Sequence, residues 1–143
     1  AKSKLTPPKP KEKKLSKLWE ANIDDHVISL EYSPDGKNIL AAGISGQICV
    51  FDAETGAKRF ELEAHSFGVK MISWSRDGRY FTSAGQDGKI RLFDAGNFTD
   101  IKTLAGGADW VECVRWSPHS DTFVSTAGKK IRLWSAQAEL LRE

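Results

Sequence analysis

The chain reads as an all-β protein built from three successive four-stranded antiparallel sheets. Two observations lead there. Tyr32-Ser33-Pro34-Asp35-Gly36, Trp74-Ser75-Arg76-Asp77-Gly78 and Trp116-Ser117-Pro118 follow one another at intervals of 42 positions, and a fixed period of this length marks a repeat architecture. Between these markers stand runs of five or six residues rich in Val, Ile, Phe and Trp, joined in the first two copies by Asp-Gly turns.

Composition sets the outer bounds. A length of 143 residues is one domain's worth, and 40% apolar content with five Trp supports a packed body. Charge is uneven: residues 1–14 hold six Lys and one Glu, or +5, so within a net charge of +2 the body carries −3. Cys49 and Cys113 sit in separate repeats without Cys-x-x-Cys spacing or a nearby His pair, which argues against a metal site and for two small buried residues in a reducing compartment. No apolar run is long enough for a membrane span, and the basic, Pro-containing N-terminus lacks the apolar centre of a signal peptide. The expected setting is intracellular, soluble and cytoplasmic, with no membrane partner and no cofactor.

Taken in order, residues 1–14 alternate Lys with Pro and show no apolar periodicity, so they read as a flexible basic leader. Leu15–Glu20 offers a leading strand before the first repeat. Inner strands follow at Val27–Tyr32, Val69–Trp74 and Val111–Trp116, where apolar residues fall on both parities and both sheet faces call for cover. Second strands are expected at Asn38–Ala42, Tyr80–Ala84 and Thr122–Thr126, reached through Asp35-Gly36, Asp77-Gly78 and a longer third turn at His119-Ser120-Asp121. Third strands read as Gln47–Phe51, Lys89–Phe93 and Lys130–Trp134, and outer strands as Ala57–Leu62 and Asp100–Leu104. Ala138–Arg142 closes the series as an outer strand or a short helix, with the strand preferred. The repeats then cover about residues 21–62, 63–104 and 105–143 of a body spanning 15–143.

The 42-residue period, Ala64-His65, the Ser-Pro-Asp-Gly turn, and the strand endings Phe51-Asp52, Phe93-Asp94 and Trp134-Ser135 together resemble the WD-repeat β-propeller family. The resemblance implies propeller blades and, for His65, Ser83 and Asp87, a buried hydrogen-bonded network rather than a nucleophilic triad. The family's fourth member would be a Trp; here it is Phe93, with no N–H to donate. The aligned positions are Ile23, Ala41, Ser45 and Phe51 in the first repeat, and Gly107, Ser125 and Trp134 in the third. Asp24-Asp25 reads as solvated loop charge.

The resemblance also implies a non-catalytic scaffold that takes a protein or peptide partner on the face formed by the loops leading into the inner strands. The implied positions are His26, Ile28, Ile44, Gly68, Lys70, Gln86, Trp110 and Glu112. Trp110, in the loop before the third inner strand, is either a core plug or an exposed aromatic anchor. A nucleic-acid-associated propeller using the Lys-rich leader is the alternative. Three blades make an incomplete ring, which is closed either by further blades of a longer chain or by a dimer of six blades in which Leu15–Glu20 completes the partner's last blade.

Overall fold

The computed structural model describes residues 5–12 and 14–143. Among these, twelve strands form three antiparallel sheets, each a meander in chain order. Blade 1 holds β1 (Val27–Tyr32), β2 (Asn38–Gly43), β3 (Gln47–Asp52) and β4 (Lys58–Glu63). Blade 2 holds β5 (Val69–Trp74), β6 (Tyr80–Gly85), β7 (Lys89–Asp94) and β8 (Thr99–Ala105). Blade 3 holds β9 (Val111–Trp116), β10 (Thr122–Ala127), β11 (Lys130–Ser135) and β12 (Leu140–Arg142). The tail is therefore a short outer strand, with Leu140 opposite Trp134 and Arg142 opposite Leu133.

Two expectations change. Leu15–Glu20 forms no strand. An extended segment needs a neighbouring edge to satisfy its N–H and C=O groups, and among the described residues this one pairs with none. Trp19 instead folds onto the turn between β3 and β4: its indole N–H donates to the Ala53 carbonyl at 3.0 Å, and its ring covers Gly56, where a Cβ would come within 2.6 Å of it. The second change concerns Asp25, described with the site below. Residues 5–12 of the leader are exposed and form neither strand nor helix; residues 1–4 and 13 lie outside the described residues.

Local chemistry explains the turns. In blade 1 the Ser33 hydroxyl donates to Asp35 at 2.5 Å, Asp35 accepts from Lys37 N at 2.9 Å, and Gly36 takes the left-handed φ of 72° that closes the turn. Blade 2 repeats this with Ser75, Asp77, Arg79 and Gly78. Blade 3, without Asp-Gly, uses the Ser117 hydroxyl to accept from His119 N and Ser120 N. The turn before each outer strand also needs a left-handed residue, which is Gly56 in blade 1, Phe98 in blade 2 and Ala138 in blade 3.

The core lies in two seams between blades and in a smaller cluster on blade 1, where Ala41, Cys49 and Phe51 are covered by Ala21 and Ile23. Each blade has a leading face, toward the blade before it in sequence, and a trailing face, toward the one after. In the first seam Leu40, Ala42, Ile48 and Val50 of blade 1 meet Val69, Ile72, Trp74, Phe81 and Phe93 of blade 2. The second joins Ala84, Ile90 and Leu92 of blade 2 to Val111, Val114, Trp116, Phe123 and Trp134 of blade 3. Each fully buried large side chain contributes about 1.5–3 kcal/mol. Blade 2 is thus covered by a neighbouring blade on both faces, as apolar residues on both strand parities require, whereas blades 1 and 3 each meet a neighbouring blade on one.

Hydroxyls cross the seams where backbone N–H groups need acceptors. Ser29 Oγ accepts from Ile72 N at 3.4 Å, and Ser73 Oγ accepts from Trp116 N at 3.1 Å. Trp116 Nε1 donates to Thr82 Oγ1 at 3.1 Å. Trp74, its counterpart in the first seam, buries an Nε1 with no partner, because the position corresponding to Thr82 is Leu40.

Candidate functional site

The chemistry-bearing side chains fall in two places, one buried within blade 2 and one spread over the loops that lead into the inner strands. His65 stands on the crossover from β4 to β5, Ser83 on β6 and Asp87 in the turn from β6 to β7. Their spacing in sequence is closed by the β5–β6–β7 meander: His65 Nδ1 lies 2.9 and 3.1 Å from the two Asp87 oxygens, and Nε2 lies 2.7 Å from Ser83 Oγ.

Burial holds the His65 pKa below its usual value, against the opposing pull of Asp87, so the imidazole is neutral. A neutral ring here donates from Nδ1 to the carboxylate and accepts the Ser83 hydroxyl proton at Nε2. Asp87 also accepts from Lys89 N at 3.1 Å. Gly85 is required beside the ring, since a Cβ there would collide with His65 Nδ1. Ser83 is fully buried. The arrangement ties the crossover to the tight turn. Phe93, in the fourth position, stacks on Phe81 at 4.7 Å instead of donating a hydrogen bond.

The other blades divide this chemistry. Blade 3 keeps the outer half, with Trp134 Nε1 donating to Ser125 Oγ at 2.9 Å. Blade 1 has Ile23, Ala41 and Ser45 where the trio stands, and Ile23 and Ala41 pack with Phe51 and Cys49. Asp25 takes over the loop tie there. It accepts from Ser45 N at 2.6 Å and from His26 N at 2.7 Å, and the bond from Ser45 holds its carboxyl below the usual range. Asp25 is therefore a turn clasp rather than solvated charge. Its signal in the sequence was the Asp at the same place two periods later, Asp109, which lies equally close over Gly128.

Arg91 and Arg132 reinforce the crossovers. Arg91 Nη1 donates to the carbonyls of Glu63 and Ala64, at 2.9 and 2.6 Å, and Arg132 Nη1 does the same to Gly106.

Over the loop face, the predicted positions gather in two groups. Lys70 Nζ lies 5.5 Å from the Trp110 ring centroid and 3.5 Å from the Glu112 carboxylate. A recess of about 460 Å³ opens beside them, lined by Ala108, Asp109, Trp110, Glu112 and Gly128. Trp110 is 51% exposed, which places it in solvent and not in the core. The second group is joined through the backbone: Ile44 N donates to the His26 carbonyl at 3.0 Å, and Gln86 N to the Gly68 carbonyl at 2.9 Å. Gly68 leaves room for the Ile44 carbonyl, which a Cβ would strike. Ile28 is exposed on β1 at the register position of Lys70 and Glu112. Sequence reasoning passed over Phe67, 64% exposed in the same loop class. The signal that singled out Trp110, a large aromatic in an approach loop, applies to it equally.

Residues 14–52, 56–94 and 98–135 each match the family described as WD domain, G-beta repeat. The chain belongs to the WD-repeat family. Similar curated proteins include the WD repeat-containing protein VIP3 of Arabidopsis thaliana, 34% identical over 65 residues, covering 46% of this chain and 18% of that protein. WD repeat-containing protein 1 of Xenopus tropicalis is 36% identical over 61 residues, covering 41% of this chain and 10% of its own length. A solved structure of the RRP9 WD40 repeats superposes with a TM-score of 0.81 at 21% identity, over 85% of this chain and 39% of that one, a likeness of fold. The WD-repeat chain thus spans less than a fifth of these two curated relatives. Repeats of this family typically act as protein-interaction scaffolds.

Proposed function

We propose that this WD-repeat chain is a non-catalytic scaffold that binds a protein or peptide partner through the loop face, with Trp110 as the anchor. The observation that carries the reading is the half-exposed Trp110 indole, braced by the Lys70 ammonium and bordered by an open recess. Exposed aromatic side chains of this kind dominate interface energetics, because they bury a large rigid area at low entropic cost. Phe67 and Ile44 extend the apolar area, and His26, Gln86 and Glu112 supply polar contacts at its margin.

Panning a random peptide library on the purified chain tests this. Peptides selected on the wild type should lose at least about tenfold in affinity on Trp110→Ala, equivalent to about 1.4 kcal/mol, while the variant melts as the wild type does. Failure to enrich any sequence, or enriched peptides indifferent to Trp110→Ala, Phe67→Ala and Glu112→Ala, overturns the reading. The leader offers a second reading, in which the exposed Lys9, Lys11 and Lys14 engage phosphates. Binding of single-stranded RNA that falls steeply with salt and disappears on deletion of residues 1–14 would favour that reading.

A further inference from the structure

Asp25 and Asp109 stand at one place in the repeat, two periods apart, but the turns they face differ by a residue. The turn from β2 to β3 spans residues 44–46, and its Ser45 N–H takes up the Asp25 carboxylate at 2.6 Å, together with His26 N at 2.7 Å. The turn from β10 to β11 holds only Gly128 and Lys129. The Asp109 carboxylate still lies over this turn, where a Cβ on Gly128 would come within 2.6 Å of it. With the shorter turn, however, it accepts no hydrogen bond and forms no ion pair among the described residues. Asp109 is exposed, and it borders the recess of about 460 Å³ whose other walls are Ala108, Trp110, Glu112 and Gly128. Two carboxylates and an indole thus line the recess, and no cation does. Lys70 and Lys129 stand outside its lining, so neither ammonium fills it.

We propose that this recess takes an arginine side chain, so that the partner recognised at the loop face is a basic peptide segment. The proposal rests on the reading of that face as the docking surface and adds the chemistry of the docked residue. Two features select a guanidinium. The Trp110 ring and the Glu112 carboxylate already hold a cation between them, since Lys70 Nζ lies 5.5 Å from the ring centroid and 3.5 Å from the carboxylate. Asp109, next to Trp110 in the chain, adds a carboxylate with no internal partner. A guanidinium stacked on the exposed part of the ring presents its N–H fork at the ring's edge, where a carboxylate can accept two bonds from it. Lysine ranks lower, because its ammonium is compact and strongly hydrated and does not stack. A partner's carboxylate or phosphate would meet Asp109 and Glu112 with like charge, which rejects acidic segments. The net charge of −3 on residues 15–143 works in the same direction, drawing basic segments toward the body.

Peptide arrays probed with the purified full chain test the proposal, each spot carrying random flanks around one position fixed as Arg, Lys, citrulline or Glu. Citrulline keeps the shape of arginine without its charge. Arg-fixed spots should hold the chain at least about tenfold more tightly than citrulline-fixed ones, with Lys between them and Glu lowest. Asp109→Asn should cut that preference by at least about threefold, and Trp110→Ala should abolish it. Both side chains are exposed, so both variants should melt as the wild type does. Glu54→Gln, which removes an exposed carboxylate from the turn between β3 and β4, should leave the preference intact. Equal retention on Arg-fixed and citrulline-fixed spots overturns the proposal; if those spots still lose the chain on Trp110→Ala, the docking reading stands and only the choice of residue falls. An arginine preference that survives Asp109→Asn and Trp110→Ala, or that Glu54→Gln weakens as much as Asp109→Asn does, places the attraction elsewhere and overturns the proposal too. Retention on no spot at all overturns both the proposal and the docking reading.

Discussion

Replacing Asp87 with Ala removes the acceptor of a buried imidazole and of a turn amide at once. In the wild type, Asp87 accepts from His65 Nδ1 at 2.9 Å and from Lys89 N at 3.1 Å. The His65 side chain is wholly buried, so its N–H has no water to turn to, and an orphaned buried donor costs about 1–3 kcal/mol. The Lys89 bond is exposed and adds about 0.5–1 kcal/mol. The sum is about 3 kcal/mol, or a Tm lower by about 10 °C for a domain of this size. Urea unfolding followed by Trp fluorescence measures it as a lower midpoint at unchanged slope. Asp77→Ala is the matched control: Asp77 accepts from the buried Ser75 hydroxyl and from Arg79 N, but a hydroxyl, unlike the fixed imidazole N–H, can rotate toward another acceptor, so its loss should cost less, about 1 kcal/mol. Equal losses in the two variants, or an Asp87→Ala protein that unfolds with the wild type, would refute the reasoning.

Two further outcomes follow from buried groups. Leu40→Thr should be more stable than Leu40→Val by about 1 kcal/mol, reversing the usual core preference, because the new hydroxyl meets the unpartnered Trp74 Nε1 as Thr82 meets Trp116; denaturant midpoints of the two variants decide it. Stability should also fall as pH drops below 6.5, the ordinary His value: the folded state holds the His65 pKa down, so its contribution is complete above that pH and is lost as pH descends through the lowered value. Asp25, Asp35 and Asp77, all held below the usual 3.8, add a second loss beneath that value, and chemical unfolding at a series of pH values should show both limbs.

The strands were legible because repetition multiplies a weak signal. A single Val-x-x-Ile run is ambiguous, but three copies at one register, each followed by a turn of recognisable chemistry, leave little freedom. Leu15–Glu20 escaped the same logic: it has strand-like residues, yet strandedness belongs to a pair, and among the described residues it pairs with no edge. The His65 network was legible for a related reason, as one copy of a motif whose members the meander must bring together. The loop face was legible in position and less so in content. Approach loops vary from copy to copy, so Phe67 and Asp25 carried no repeated pattern, apart from the Asp25 to Asp109 correspondence that skips the middle blade. Trp74's unpartnered N–H depends on one side chain across a seam, a relation that periodicity within a blade does not encode.

The position of blade 2 has a consequence for how the molecule comes apart. Releasing an end blade breaks one seam, while releasing the middle one breaks both, along with the ties made by Asp87 and Arg91. In an array coupled through nearest neighbours, excursions from the native state therefore begin at the termini and run inward. The amides of β6, central in the central sheet, exchange with solvent only when the whole array opens, so their exchange rates report global stability while those of β1 and β11 report the fraying of single blades.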